Sequence, residues 1–272
     1  MLKNPRAIII RSAGINCDEE LAHAFDLAGA RADLVHLNVL VREPERLDEF
    51  DLIAFPGGFS FGDDVAGGAI FAMHVRERLY PSLLRCIERE TPIFAVCNGF
   101  QVAAKVGLLP GPGIGENWPT DHPPKQTVTL TDNSTGRFID DWVGVEVNRE
   151  SPCIWTRGLE GEGEVMMLPM AHGEGRFVAE PAVIDEIETS NRVALRYMEG
   201  SNLNGSMNRI AGICDSTGLI LGLMPHPERF VAWHHHPFWT RLSNESRRNE
   251  EPIGLRIFRN AVEFARVGRV GV

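Results

Sequence analysis

The sequence lacks a CxxC pair, a Cys/His zinc spacing and even an even number of cysteines. Its five, Cys17, Cys86, Cys97, Cys153 and Cys214, are scattered along the chain. No disulfide framework is therefore expected. Long apolar runs are missing too. The opening MLKNPRAIIIRSAG offers only Ile8 to Ile10, too short for a signal core or a membrane span, so a cytoplasmic chain with reduced thiols and no membrane contact is expected. Positive charge is in deficit, with 27 Lys and Arg against 37 Asp and Glu, giving a formal net charge of −10. A sequence-independent grip on nucleic acid needs clustered cations, so nucleic acid is not an expected partner. Repeats and low-complexity tracts are absent, and in a cytoplasmic chain the sequons at Asn133, Asn204 and Asn244 read as chance matches.

What is present is ordinary globular material: 272 residues, 43% apolar and 24% charged, enough to bury a substantial core. The first hundred residues alternate short apolar runs with amphipathic stretches, the pattern of βαβ units and a parallel sheet. Strands are predicted at Ala7 to Ile10, Leu34 to Leu37, Asp51 to Phe55 and Ile93 to Val96. A helix is predicted from Asp18, as N-cap, to Gly29, as the left-handed residue that ends it. Beyond residue 110 the pattern changes to antiparallel strands at Thr127 to Leu130, Val143 to Val147 and Val165 to Leu168. Further strands fall at Ile210 to Ile213 and Leu219 to Leu223, and a last helix runs from about Leu255. The intervening segment 111–124 reads as a loop, and 232–252, polar and His-rich, as a surface loop or insertion within a single domain spanning 1–272.

Three fragments carry candidate chemistry, each at the C-terminal end of a predicted strand, the edge where open α/β sheets hold their sites. In IFAVCNGFQ, Cys97 stands between a strand and a helix, where the helix dipole favours thiolate and makes the sulfur a nucleophile. The small residues Ala95 and Gly99 suit a tight elbow, and the Asn98 N–H would point at an oxyanion. In MPHPERF, His226 and Glu228 lie two apart. In an extended segment both would share one face, so Glu228 could orient an imidazole that serves as base to Cys97. In AFPGGFSFGDD, the bare N–H groups of Gly57 and Gly58 suit the other half of an oxyanion hole, and Asp63 and Asp64 read as helix N-caps.

With AHGEGRF (171–177), GSNLNGS (200–206) and GINCDEE near the start, these fragments resemble the class I glutamine amidotransferases, and within them the glutaminase subunits of phosphoribosylformylglycinamidine synthases of purine biosynthesis. The likeness covers nearly the whole chain. The Cys-x-Gly-x-Gln elbow and the His-x-Glu pair are general to class I; CNGFQ, HGEGRF and PHPER are narrower. The resemblance implies a flavodoxin-like α/β fold, a mostly parallel central sheet flanked by helices with an additional antiparallel region. It implies that Cys97 attacks glutamine to give a γ-glutamyl thioester and ammonia, with His226 as acid and base and Glu228 behind it. Gln101, His172, Gly173 and Glu174 would line the glutamine pocket. Ammonia would pass to a synthetase subunit, with a small accessory subunit left open. No cofactor is expected in this chain: ATP and Mg would belong to the synthetase, in keeping with the absence of a G-x-x-x-x-G-K-[ST] loop.

Two features depart from that pattern. Ala95 stands where many amidotransferase elbows have glycine. The stretch from Ala232 to Pro252 is longer than in the small bacterial subunits, and its Trp233, Phe238 and Trp239 are read as a partner-contacting surface. Its neighbouring histidines, His234 to His236, cannot readily converge on one ion, so no metal site is expected there or elsewhere. The residues leave open another class I amidotransferase, a γ-glutamyl hydrolase, or a catalytically silent scaffold of the same fold.

Overall fold

Four strands of the first half form the frame of the molecule: β1 (Arg6–Arg11), β2 (Arg31–His36), β3 (Leu52–Phe55) and β4 (Ile93–Val96). The computed structural model describes residues 4–159, 166–242 and 251–268. Later strands are β5 (Val128–Asp132), β6 (Ile139–Val147), β7 (Met167–His172), β8 (Glu174–Ala179), β9 (Val193–Tyr197), β10 (Ile210–Cys214) and β11 (Ile220–Leu223). The main sheet has the order β2-β1-β3-β4-β11-β10-β9-β6-β7, and β5 pairs with β8 in a separate two-stranded sheet. From β2 to β11 all neighbours are parallel; from β11 to β7 they are antiparallel. The mixed architecture expected from the sequence is what the chain forms.

β3, β4 and β11 are buried at every residue, as continuous apolar strands covered on both faces must be. The α-helices among the described residues are α1 (Asp18–Ala28), α2 (Leu37–Arg42), α3 (Ala69–His74), α4 (Tyr80–Glu88), α5 (Asn98–Val106), α6 (Pro181–Thr189) and α7 (Ile253–Gly268). Phe25 of α1, Phe94 of β4, Trp155 and Phe258 of α7 meet in ring pairs with centroids 5.1 to 6.5 Å apart, mostly edge to face. This arrangement suits aromatic quadrupoles.

Several local expectations need correction. Asp18 is the first residue of α1 rather than its cap: Cys17 occupies the cap position without a side-chain bond, and Asp18 instead pairs with Arg11 at 2.8 Å. Gly29 does end α1 in the left-handed conformation, at φ 93°. The second strand begins earlier than predicted and Leu37 opens α2. Neither Asp63 nor Asp64 is an N-cap: Asp63 ends a 3-10 turn, Ser60–Asp63, and Asp64 is its C-cap. Gly68 precedes α3, and Asp63 Oδ1 accepts from its N–H at 3.0 Å. Of the third antiparallel strand, Val165 lies outside the described residues and β7 starts at Met167.

The segment 232–252 is not all surface. His236 is buried, its ring 5.3 Å from Trp142 and 5.5 Å from Phe230, and Trp233 packs on Phe230 at 5.5 Å. Phe238 and Trp239 are exposed, as expected, while 243–250, including Asn244, lie outside the described residues. Asn133 and Asn204 are buried, which rules out their sequons as acceptors. Among the described residues no helix is long and apolar enough to cross a membrane.

Candidate active site

The parallel half of the sheet delivers four loops to one rim, one from the C-terminal end of each of β1, β3, β4 and β11. Cys97 follows β4 with φ 52° and ψ −110°, a backbone state that costs a non-glycine residue roughly 1–3 kcal/mol. Its N–H donates to Leu223 O at 2.8 Å, which locks the elbow to the end of β11. Beneath it the packing is tight. A Cβ on Gly99 would lie 2.0 Å from Phe55 O, and one on Gly222, the register partner of Ala95, 2.3 Å from the Phe100 ring. Gly222 lies under the elbow helix and supplies part of the room that a glycine at position 95 would otherwise give.

His226 comes from the other side of the same rim. The extended segment expected to hold it with Glu228 is not formed: residues Pro227 to Arg229 make a 3-10 turn. The turn still brings the pair together, with His226 Nδ1 2.5 Å from Glu228 Oε1 and both side chains buried. Burial alone would lower the His226 pKa. The Glu228 charge, then that of Cys97, outweigh it and hold the imidazole well above its ordinary value. His226 Nε2 has no partner in hydrogen-bond geometry, although the sulfurs of Cys97 and Cys17 both lie near enough to favour its charged form. The side-chain direction at Gly57 is closed by all three groups: a Cβ there would sit 2.7 Å from His226 Cε1, 3.3 Å from Cys97 Cβ and 3.4 Å from Cys17 Sγ.

A cavity of about 500 Å³ opens onto Cys97 and His226. Gln101, His172, Gly173 and Glu174 line it, as does Gly58. Asn98 is the first residue of α5, so its N–H has no acceptor within the helix. Two of these side chains also brace the walls. Asn98 accepts from Ser60 N at 3.2 Å and donates to Asp63 Oδ1 at 3.0 Å and Gln101 Oε1 at 2.8 Å. Gln101 donates in turn to Glu174 O at 2.6 Å, and Glu174 Oε2 accepts from Gly67 N at 3.1 Å. Asn98→Ala, which breaks three of these links inside the protein, is expected to lower stability by about 2–3 kcal/mol, read from the urea midpoint.

His172 ends β7 above the cavity. Burial, then the charge of His226, push its pKa down to about 3, so the ring is neutral. Asn133 Nδ2 donates to His172 O at 2.8 Å and to Arg137 O at 2.9 Å, which leaves Oδ1 to accept from His172 Nδ1 at 3.0 Å and Gly175 N at 3.3 Å. GSNLNGS supports the next strand, β8: Asn204 donates to Gly175 O at 2.9 Å and Ser206 Oγ accepts from Phe177 N at 3.0 Å.

Sequence reasoning missed Cys17 and Arg229. Both line the cavity, and Arg229 Nη2 donates to Cys17 Sγ at 3.0 Å. The available signal was position: Cys17 follows the first parallel strand on the active rim. Phe59 and Phe138, also missed, stack at the cavity mouth with centroids 6.4 Å apart.

The profile of the CobB/CobQ-like glutamine amidotransferase domain matches residues 4–265. Phosphoribosylformylglycinamidine synthase subunit PurQ of Dehalococcoides mccartyi is 40% identical over 266 residues, covering 96% of this chain and 98% of its own length. The subunit of the same name from Methanopyrus kandleri is 37% identical over 268 residues, with 96% and 99% covered. Among solved structures, a chain in the structure of PurLQS from Thermotoga maritima superposes with a TM-score of 0.71 at 32% identity, covering 96% of this chain and 99% of that one. A glutamine amidotransferase from the same organism, 16% identical, has a TM-score of 0.53 with 97% and 99% covered, and shares the fold.

Proposed function

The chain belongs to the CobB/CobQ-like glutamine amidotransferase domain family, and from that premise we propose that it is the glutaminase subunit of a phosphoribosylformylglycinamidine synthase in purine biosynthesis. The observation that carries the site assignment is the strained Cys97 elbow facing the buried His226–Glu228 pair across one cavity. Glutamine enters that cavity, walled by Gln101, His172, Gly173 and Glu174. The Cys97 sulfur attacks the side-chain amide carbon, and the N–H groups of Asn98 and of Gly57 and Gly58 stabilise the resulting oxyanion. His226 gives a proton to the departing nitrogen, ammonia leaves, and a γ-glutamyl thioester remains on Cys97. Water, deprotonated by His226, then releases glutamate and restores the thiol. Glu228 holds the imidazole and stabilises its charge throughout.

The synthetase subunit uses the ammonia to convert formylglycinamide ribonucleotide to formylglycinamidine ribonucleotide, with ATP and Mg bound there. A cytoplasmic location belongs to the same proposal, with all five cysteines free. Within the single domain 1–272, the segment 232–252, with its exposed Phe238 and Trp239, is assigned to contact with the synthetase. Reaction with an electrophilic glutamine analogue followed by peptide mass spectrometry tests the site. One adduct per chain, on Cys97 and blocked by excess glutamine, is the expected result. Labelling at Cys17 instead, or none in the assembled complex, would remove Cys97 from its role.

A further inference from the structure

Cys17 has no part in the glutamine chemistry above, yet its sulfur lies against the same imidazole. It is buried at 2% exposure. Ligand atoms of Cys17, His226 and Glu228 all lie within 4.8 Å of one another. Two of the polar atoms in this group, His226 Nε2 and Glu228 Oε2, are buried without a hydrogen-bond partner. We propose that Cys17, His226 and Glu228 form a binding site for a soft divalent cation of the zinc type, with its fourth position open to the cavity.

The donor set argues for that class of ion. One sulfur, one imidazole nitrogen and one carboxylate oxygen match zinc, whereas magnesium and calcium require mostly oxygen. Three protein ligands with a vacant fourth position are how zinc sits where a further ligand can reach it. Tetrahedral bonds of about 2.0–2.3 Å place ligand atoms roughly 3.3–3.8 Å apart, so groups now as much as 4.8 Å apart close by about 1 Å, while the 2.5 Å bond between His226 Nδ1 and Glu228 Oε1 has to open to admit the ion. Thiolate and carboxylate together neutralise the dication, and both the thiol proton and the extra proton of the charged His226 leave to solvent. Arg229, which donates to Cys17 Sγ at 3.0 Å, keeps a lone pair to bond to on a metal-bound sulfur and fixes that ligand in place. Gly57 keeps the space clear, since its missing Cβ would fall 3.4 Å from Cys17 Sγ and 2.7 Å from His226 Cε1.

Such an ion removes His226 and Glu228 from Cys97 and obstructs the cavity. Zinc is therefore expected to inhibit glutamine hydrolysis reversibly, a consequence that rests on the glutaminase reading; the binding itself does not. The full chain, stripped with a chelator, is titrated with Zn²⁺ alone and, for spectroscopy, with Co²⁺. The expected result is one ion per chain and a thiolate-to-cobalt charge-transfer band that persists in Cys97→Ala. Cys17→Ser should weaken Zn²⁺ binding on the order of 100-fold. Unchanged affinity in Cys17→Ser, or no thiolate band in the unsubstituted chain, would overturn the site, and the second measurement stands even if the variant does not fold. In the assembled complex, Zn²⁺ should suppress glutamine-driven turnover and a chelator restore it. Metal binding without any glutamine turnover would refute the glutaminase reading and leave the cation site standing.

Discussion

Cys97→Ala abolishes glutamine-dependent formation of formylglycinamidine ribonucleotide by the assembled synthase, a fall of at least about 10⁴-fold, while synthesis from added ammonium continues. The variant removes the only atom that can carry the γ-glutamyl group in this mechanism. Its neighbours stay in place, because the elbow is held by the backbone bond from Cys97 to Leu223 O and alanine fills most of the same buried volume. Ammonium bypasses the cavity and reaches the partner's chemistry from solvent. The measurement is a pair of steady-state rates on one preparation, with glutamine and with an ammonium salt. Loss of both would mean that Cys97 holds the complex together; survival of the glutamine rate would remove it as nucleophile.

The second large effect is on folding. Gly99→Ala puts a carbon 2.0 Å from Phe55 O and 2.6 Å from Phe55 C, both backbone atoms of β3. No rotamer change can relieve that overlap, so α5 must lift from β3, and the cost is expected to be about 3 kcal/mol or more. Urea unfolding of the two chains gives the difference, and an unchanged midpoint would show that the elbow has more room than described. Because α5 also carries Asn98 and Gln101, any folded fraction should bind glutamine poorly, raising KM ahead of the change in kcat.

The same glycine shows why the elbow was legible in the sequence. A buried apolar strand, a polar hinge residue and a glycine within two positions are all local features, and local features dictate β4, Cys97 and α5. The strands of the parallel half were readable for the same reason, being short apolar runs bounded by turn residues. What escaped was long-range or depended on packing. The His226–Glu228 pair was recognised, but its backbone was taken as extended. The two flanking prolines restrict φ without choosing between a strand and a turn; the neighbouring packing, including Gly254 against Pro227 O, accommodates the turn. Cys17 looked like any scattered cysteine, because only the lateral strand order β1-β3-β4-β11 carries its loop to the rim that holds His226. α6 and β9 went unassigned, though Pro181 in the first turn of α6 was a usable start signal.

Gly254 has a further consequence for the making of the protein. A Cβ there would lie 2.2 Å from Pro227 O and 2.3 Å from Phe230 O, so α7 is built flush against the turn that bears Glu228. Translation proceeds from the N-terminus, and Cys97 has left the ribosome long before this closing helix exists. A half-made polypeptide thus displays its sulfur without the finished imidazole–carboxylate pair. Chains that still lack α7 should consume none of the cell's amide nitrogen, and hydrolytic competence arrives only once that helix has been added.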